Sequence, residues 1–231
     1  MLIIRYNWIV CVGIFIIGFL SGILLNQSIY SVITSDDVVV NQLYNHEYKK
    51  KFNWHNPILL LNATLYTFVF LANGFQWESV LYCILVSILL AISVIDLKTY
   101  EIPPQLNLLI GLLGIINLGF NFTGWSEYVS GFFSVSGFLY LIFLATKGKG
   151  IGGGDIKLMA AAGLLLGYKK VILAFFLGCI LGSVIHLARM KIRKEEHILA
   201  LGPYLAAGIF LSALYGEQML KWYFHLLGVS L

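Results

Sequence analysis

Long runs of apolar residues, separated by short polar stretches, dominate this chain. A helix that crosses the hydrocarbon core of a bilayer needs about 20 mainly apolar residues. By this measure the pattern predicts eight membrane spans, at 8–30, 57–72, 78–95, 105–119, 128–146, 156–167, 170–189 and 200–215. The fourth and sixth runs are short, so we expect those two helices to be tilted or shallow. The predicted fold class is all-α, a polytopic transmembrane helical bundle of about eight spans.

The distribution of basic residues predicts the orientation of this bundle. Eleven of the 15 lysine and arginine residues lie in or beside the four loops that follow the odd-numbered spans. The other four lie on the opposite side, and they are Arg5, Lys169, Lys170 and Lys221. By the positive-inside rule the four basic loops face the cytoplasm, and both chain ends face outward.

The composition excludes an ordinary soluble domain. Hydrophobic residues make up 59% of the chain and charged residues 11%, whereas soluble domains carry about 25% charged residues. The net charge of +4 is thinly spread, so we expect membrane lipids around the chain and no nucleic-acid partner. The three cysteines lie in apolar runs without C-x-x-C spacing, which excludes a cysteine-based zinc site.

Two aspartates lie at the ends of apolar runs. Asp96 ends the run 80–95 and Asp155 opens the run 156–166, and the predicted topology places both at the cytoplasmic boundary. Acidic side chains at membrane depth are costly, so each is a candidate functional residue. Two carboxylates held together in a partly dry site share one proton, so one can take a proton from water while the other protonates a leaving amide. This is acid–base peptide hydrolysis without a covalent intermediate.

The neighbours of each aspartate strengthen this interpretation over a purely structural one. Alone, Asp155 is equally well placed to cap the sixth helix. However, it follows the glycine-rich segment 148–154, and glycines permit positive φ and close approach of a substrate backbone. Asp96 is followed by a loop containing Pro103 and Pro104, so we expect one helix to end just after Asp96 and the next to start after Pro104. The formal G-x-G-x-x-G within 148–153 lacks the preceding strand of a dinucleotide site.

These segments together resemble the type IV prepilin peptidases, a family of membrane aspartic peptidases. The family's D-x-x-x-x-x-[IL]-P segment corresponds to 96–103, and its G-x-G-D segment corresponds to 152–155. The stretch 156–163 is similar to the family's continuation, and 201–208 resembles its late G-P-[FY]-L-A motif. Near the start, 22–30 resembles G-x-x-x-N-x-x-I-Y, with Ser31 in place of the family's arginine. The segment 57–62 resembles the entry to the family's second span, so the resemblance follows nearly the whole chain in order.

The resemblance implies one integral membrane peptidase domain over residues 1–231, in the bacterial inner (plasma) membrane, with its active site facing the cytoplasm. It implies that Asp96 and Asp155 are the catalytic pair. It also implies that a basic leader is cut from prepilins or pseudopilins after a glycine and before a hydrophobic helix. The oligomeric state is left open. Residues of the matching motifs that we expect to shape the loops or contact substrate are Gly152, Gly154, Pro103, Lys157, Gly202 and Pro203.

One departure from the family concerns the first cytoplasmic loop. Many members carry two C-x-x-C pairs there that bind zinc, and they also methylate the new N-terminus with S-adenosylmethionine. The loop 31–56 contains no cysteine, so we expect neither zinc nor any other metal, and the methyltransferase activity is left open. His46 and His55 in this loop are expected to be ordinary solvated or packing residues.

Three other functions compete with this one. A preflagellin peptidase or another G-x-G-D protease would use the same aspartates, although presenilin-like proteases typically have Tyr-Asp and P-A-L motifs, where this chain has Ile95-Asp96 and Gly202-Pro203-Tyr204. A proton- or cation-coupled transporter would place acids near the middle of the membrane. A non-catalytic scaffold for pilus assembly would have no need of both acids.

Overall fold

The computed structural model describes residues 8–36, 55–193 and 200–228, and in these residues the chain is helical. They form eight α-helices, with a short 3₁₀-helix at Phe122–Gly124 before the fifth. The helices are α1 (Trp8–Asp36), α2 (His55–Asn73), α3 (Trp77–Thr99), α4 (Pro104–Phe120), α5 (Trp125–Ala145), α6 (Gly153–Leu166), α7 (Tyr168–Arg193) and α8 (Gly202–Leu226). The prediction of an all-α bundle of about eight helices is therefore confirmed.

Helix length and composition support a multi-pass membrane protein. Four described stretches are long and apolar enough to cross a bilayer, namely Trp8–Ile33, Trp77–Thr99, Phe122–Ala145 and Tyr168–Met190. Two shorter apolar helices run over Pro57–Asn73 and Pro104–Phe120. Helix α6 has only 14 residues, which at 1.5 Å per residue gives about 21 Å, less than the hydrocarbon thickness of about 30 Å. The prediction that the fourth and sixth helices are short is confirmed.

Several helix ends differ from the sequence-based bounds. Helix α3 continues three residues beyond Asp96, to Thr99, because nothing before the proline loop interrupts its backbone hydrogen bonds. Helix α4 starts at Pro104 itself, since the first turn of a helix needs no amide hydrogen from proline. Helix α1 extends to Asp36, so the predicted loop 31–56 begins as helix, and its residues 37–54, with His46, lie outside the described part of the chain.

The chain divides into two compact units, Met1–Thr99 and Tyr100–Leu231. In the first unit, α1, α2 and α3 pack against one another. Gly18 of α1 lies so close to α2 that an added Cβ would be 2.9 Å from Cα of Ala63. Asn62 of α2 is fully buried and donates to the carbonyl of Gly18 at 2.8 Å, while Ser87 of α3 donates to Asn62 Oδ1 at 3.0 Å. Polar contacts of this kind join helices in an apolar surrounding.

In the second unit, α6 lies against α4, α5 and α7, and α7 packs on α8. Helices α5 and α6 cross where Gly131 meets Gly163, because a Cβ on either would overlap the other's carbonyl oxygen. Helices α7 and α8 are joined near one end by an ion pair of 2.9 Å between Lys170 Nζ and Glu217 Oε1. Small residues at helix crossings allow the close packing on which membrane bundles depend. That residues 1–231 form a single peptidase domain stays a prediction.

Candidate active site

Asp96 lies in the last turn of α3. Its side chain is buried, with 4% of its surface exposed, while the neighbouring Leu97 and Lys98 are exposed. The helix ends at Thr99, and Tyr100 follows with a φ of 56°. The buried carboxylate of Asp96 thus lies at the end of a long apolar helix, directly before the loop 100–103.

Asp155 lies in the first turn of α6. Gly152 occupies the N-cap position with extended backbone, φ −71° and ψ 138°, and Asp155 is the third residue of the helix. The N-cap position is thus held by Gly152, and Asp155 lies three residues later in the first turn. The Asp155 carboxylate turns back toward the helix start, because a Cβ added at Gly152 would lie 3.0 Å from Asp155 Oδ2. Amide groups and the helix dipole favour negative charge at this position.

The proline loop and the glycine segment meet within the second unit. Ile102, from the I-P part of the first motif, is buried, and Gly154 of the second motif lies against it. A Cβ added at Gly154 would be 3.0 Å from Cβ of Ile102 and 3.5 Å from its backbone nitrogen. Ile102 therefore crowds the position that a Cβ atom of residue 154 would occupy. Pro103, half-buried, is the N-cap of α4, and its fixed φ of −58° suits the start of a helix.

The glycines before Asp155 act through small size rather than unusual backbone angles. In the segment 148–154 only Gly148 has a positive φ, of 76°, and the preceding Lys147 has a φ of 52°. Directly before the aspartate the chain enters the helix without a positive φ, so the freedom that glycine permits is used only at Gly148. The sharp turn is made earlier, where α5 ends.

Asn107 is a polar residue of this region that the sequence analysis did not select. It lies in α4, is 5% exposed, and its Nδ2 donates to the carbonyl of Gly154 at 3.3 Å. Ten residues further along the same helix, Asn117 donates to the carbonyl of Leu165 at 2.8 Å. The two bonds run from the two ends of α4 to the two ends of α6, so these helices lie side by side in the same direction. A buried asparagine within an apolar run was the signal in the sequence.

The other predicted residues of this region also lie in the second unit. Lys157 is exposed, two residues after Asp155. Gly202 is buried as the first residue of α8, and Pro203 follows it in the first turn. Their predicted role in loop shape or substrate contact stays a prediction. The pairing of the two aspartates also stays one, because Asp96 belongs to the unit Met1–Thr99 and Asp155 to the unit Tyr100–Leu231.

The described residues contain no group of three histidine, cysteine, aspartate or glutamate side chains that could hold a metal ion. The glycine segment lies between helices α5 and α6, whereas a dinucleotide-type loop follows a strand. That segment therefore does not fit a Rossmann-type cofactor site.

Comparison with known proteins agrees with the motifs. Residues 83–187 match the model of the type IV leader peptidase family. A protein of Bacillus subtilis (strain 168) named prepilin leader peptidase/N-methyltransferase is 30% identical over 71% of this chain and 67% of its own length. A protein of the same name from Pectobacterium carotovorum subsp. carotovorum is 35% identical over 60% of this chain and 54% of its own length. Another, from Escherichia coli (strain K12), is 27% identical over 84% of this chain and 90% of its own length.

The chain thus spans about half to two thirds of the length of the first two relatives and most of the third. No solved structure matches it. The family match includes both aspartates and the segments on either side of them. On its sequence motifs, its helical membrane fold and these relatives, the chain belongs to the type IV leader peptidase family, as the resemblance predicted.

Proposed function

We propose that this protein is a membrane aspartic endopeptidase that removes the basic leader from prepilin-like proteins. The observation that carries the proposal is the contact between Ile102 and Gly154, because it packs the loop that follows Asp96 against the turn that carries Asp155. Membership of a leader peptidase family supplies the reaction class. The names of the relatives supply the substrate class.

The two aspartates share the acid and base roles in the proposed mechanism. Asp155 lies in the first turn of a helix, and Asp96 lies buried in the last turn of another. One of the two, as a carboxylate, takes a proton from water, and the hydroxide formed attacks the carbonyl carbon of the glycine before the cleavage site. The other, as the neutral acid, gives its proton to the departing amide nitrogen, and the C–N bond breaks.

The substrate would approach from the membrane. Its hydrophobic helix would lie against the spans, and its basic leader would lie in the cytoplasm, on the side that the lysine and arginine distribution predicts. Both proposed catalytic residues lie at the ends of apolar helices, which is where a leader and a membrane helix would join. We further propose that the site faces the cytoplasm at the inner membrane.

Methylation of the new N-terminus is a separate question. The relatives are named for both activities, but the loop that often accompanies the second activity lacks cysteine here. Mass analysis of a mature pilin N-terminus produced by this protein decides it. An unmodified terminus from active protein would make this chain a peptidase only.

The peptidase proposal is tested with Asp96→Asn and Asp155→Asn in the full chain, co-expressed with a type IV prepilin. Each variant should insert into the membrane normally and leave the prepilin uncleaved. Glu127→Gln is the matched control, because Glu127 is an exposed carboxylate in the first turn of α5, outside both motifs, and it should process prepilin like the wild type. Normal cleavage by either aspartate variant would overturn the assignment.

The preflagellin alternative concerns the substrate rather than the chemistry. Parallel assays with a prepilin and a preflagellin separate the two. Preferential cleavage of the preflagellin would replace the proposed substrate class and leave the aspartate assignment unchanged.

A further inference from the structure

Asn107 has only one of its two amide atoms in use. Its Nδ2 donates to the Gly154 carbonyl at 3.3 Å. Its Oδ1 is shielded from solvent and has no hydrogen-bond partner among the residues that the structure describes. A buried acceptor left unpaired lowers the stability of a fold. Such groups are rare in folded proteins and often have a functional cause.

The orientation of this amide is fixed by its neighbour. The hydrogen bonds around an asparagine amide determine which way its oxygen and its nitrogen point. If the Asn107 amide were turned over, its oxygen would face the carbonyl oxygen of Gly154, and two acceptors would repel each other. The NH₂ group must therefore point to Gly154, and the oxygen is the atom left over.

Asn117 provides the contrast on the same helix. Its Nδ2 donates to the Leu165 carbonyl at 2.8 Å, and its Oδ1 accepts from Asn121 Nδ2 at 3.0 Å. Asn117 is thus bonded through both amide atoms, as expected of a side chain whose role is to hold α4 and α6 together. Asn107 makes the corresponding bond at the other end of α6, beside the proposed catalytic residue, and it does so with a longer bond and an unpaired oxygen.

We propose that Asn107 is a positioning residue of the peptidase, which fixes the carbonyl of Gly154 and thereby the helical turn that carries Asp155. The inference rests on the proposed function. In a helix the Gly154 carbonyl already faces the amide four residues later, so the fold does not need the Asn107 bond to satisfy it. The bond restricts the first turn of α6 in a place where the Asp155 carboxylate must be held for catalysis.

The proposal predicts that Asn107→Leu lowers the activity of the protein without lowering its stability. Leucine has a similar volume and removes the unpaired buried oxygen, so the melting temperature should not fall. The turn that carries Asp155 loses its restraint, and kcat for prepilin cleavage should fall at least about tenfold, because a misplacement of about 1 Å can cost about 100-fold. KM should stay within about twofold, since a positioning residue acts on the chemical step rather than on substrate binding.

Asn117→Leu is the matched control in the full-length protein in detergent. It should lower the melting temperature, because it removes the bond to the Leu165 carbonyl and one of the two acceptors of Asn121 Nδ2, and the folded fraction should retain the wild-type kcat. If Asn107→Leu does not accumulate in the membrane, Asn107→Ala is measured in its place. The proposal is overturned if the Asn107 variant keeps the wild-type kcat, or if its loss of activity only follows a loss of folded protein. Absence of cleavage by the wild-type protein would instead count against the proposed function itself.

Discussion

Gly154 lies directly against Ile102, so that a methyl group at position 154 would be 3.0 Å from Cβ of the isoleucine. The two residues belong to different sequence motifs, 52 positions apart, and their contact explains why a glycine stands directly before Asp155. The neighbouring Gly153 has no atom within 4 Å of the position that its Cβ would occupy. The two adjacent glycines therefore give a comparison in which only one is sterically required.

Replacing Gly154 by alanine should impair catalysis. The added methyl group would press against Cβ of Ile102, and we expect this to shift the turn that carries Asp155. We expect kcat for prepilin cleavage to fall about 10- to 100-fold, the range produced by small misplacements of a catalytic group. Gly153→Ala is the control and should retain activity, since its methyl group enters open space. Equal activity of the two variants would contradict the steric role of Gly154.

The crossing of α5 and α6 should depend on Gly131. A Cβ there would overlap the carbonyl oxygen of Gly163 and lie 2.8 Å from the carbonyl carbon of Gly167. Gly131→Ala should lower the free energy of unfolding by about 1–3 kcal/mol, the usual cost of overpacking. Thermal unfolding in detergent micelles measures this loss.

Gly137 lies on the same helix and gives the control for that measurement. No atom lies within 4 Å of its Cβ position, so Gly137→Ala should stabilise the helix by about 0.5–1 kcal/mol. A destabilisation of similar size in both variants would show that the effect comes from helix α5 itself and not from its crossing with α6.

The Asn62 bonds should stabilise the first unit. Asn62 donates to the carbonyl of Gly18 and to Ser21 Oγ at 2.9 Å, and it accepts from Ser87, so that it joins three helices. Asn62→Leu should lower the free energy of unfolding by about 1–2 kcal/mol, since interhelical hydrogen bonds in membranes contribute about this much.

Thr64 serves as the control for Asn62 in the same helix. Its hydroxyl donates to the Leu61 carbonyl of its own helix and is exposed, so Thr64→Val should change the melting temperature little. If Asn62→Leu were as stable as Thr64→Val, the buried bonds would have no net effect on stability.

Tyr100 should be a site where stability can be gained. It has a φ of 56°, a left-handed conformation that a bulky residue adopts only with strain, and its side chain is 58% exposed. Asparagine tolerates this conformation, so Tyr100→Asn should raise the free energy of unfolding by up to about 1 kcal/mol. Tyr100→Phe keeps the strain and should show no gain. A lower melting temperature for Tyr100→Asn would mean that the tyrosine side chain makes a needed contact.

Much of the architecture was predictable from local sequence. The eight helices follow from the length of the apolar runs, because each membrane helix satisfies its backbone within its own segment. The short α6 was also predictable, since its apolar run is short. Helix ends were predicted less well, and α3 extends to Thr99 because continuing a helix depends on backbone hydrogen bonds as well as on hydropathy.

The features of the candidate site were likewise predictable from the sequence only in part. By itself the sequence determined the class of protein and the family, and it led to the hypothesis of the two catalytic aspartates, because charge cost in lipid and motif spacing are properties of the chain. Only the tertiary structure decided which glycine is sterically required, that Gly152 rather than Asp155 holds the cap position, and that Asn107 bonds to Gly154. These facts depend on which backbone atoms of distant segments approach each other, and such distances are set by helix packing rather than by any local pattern.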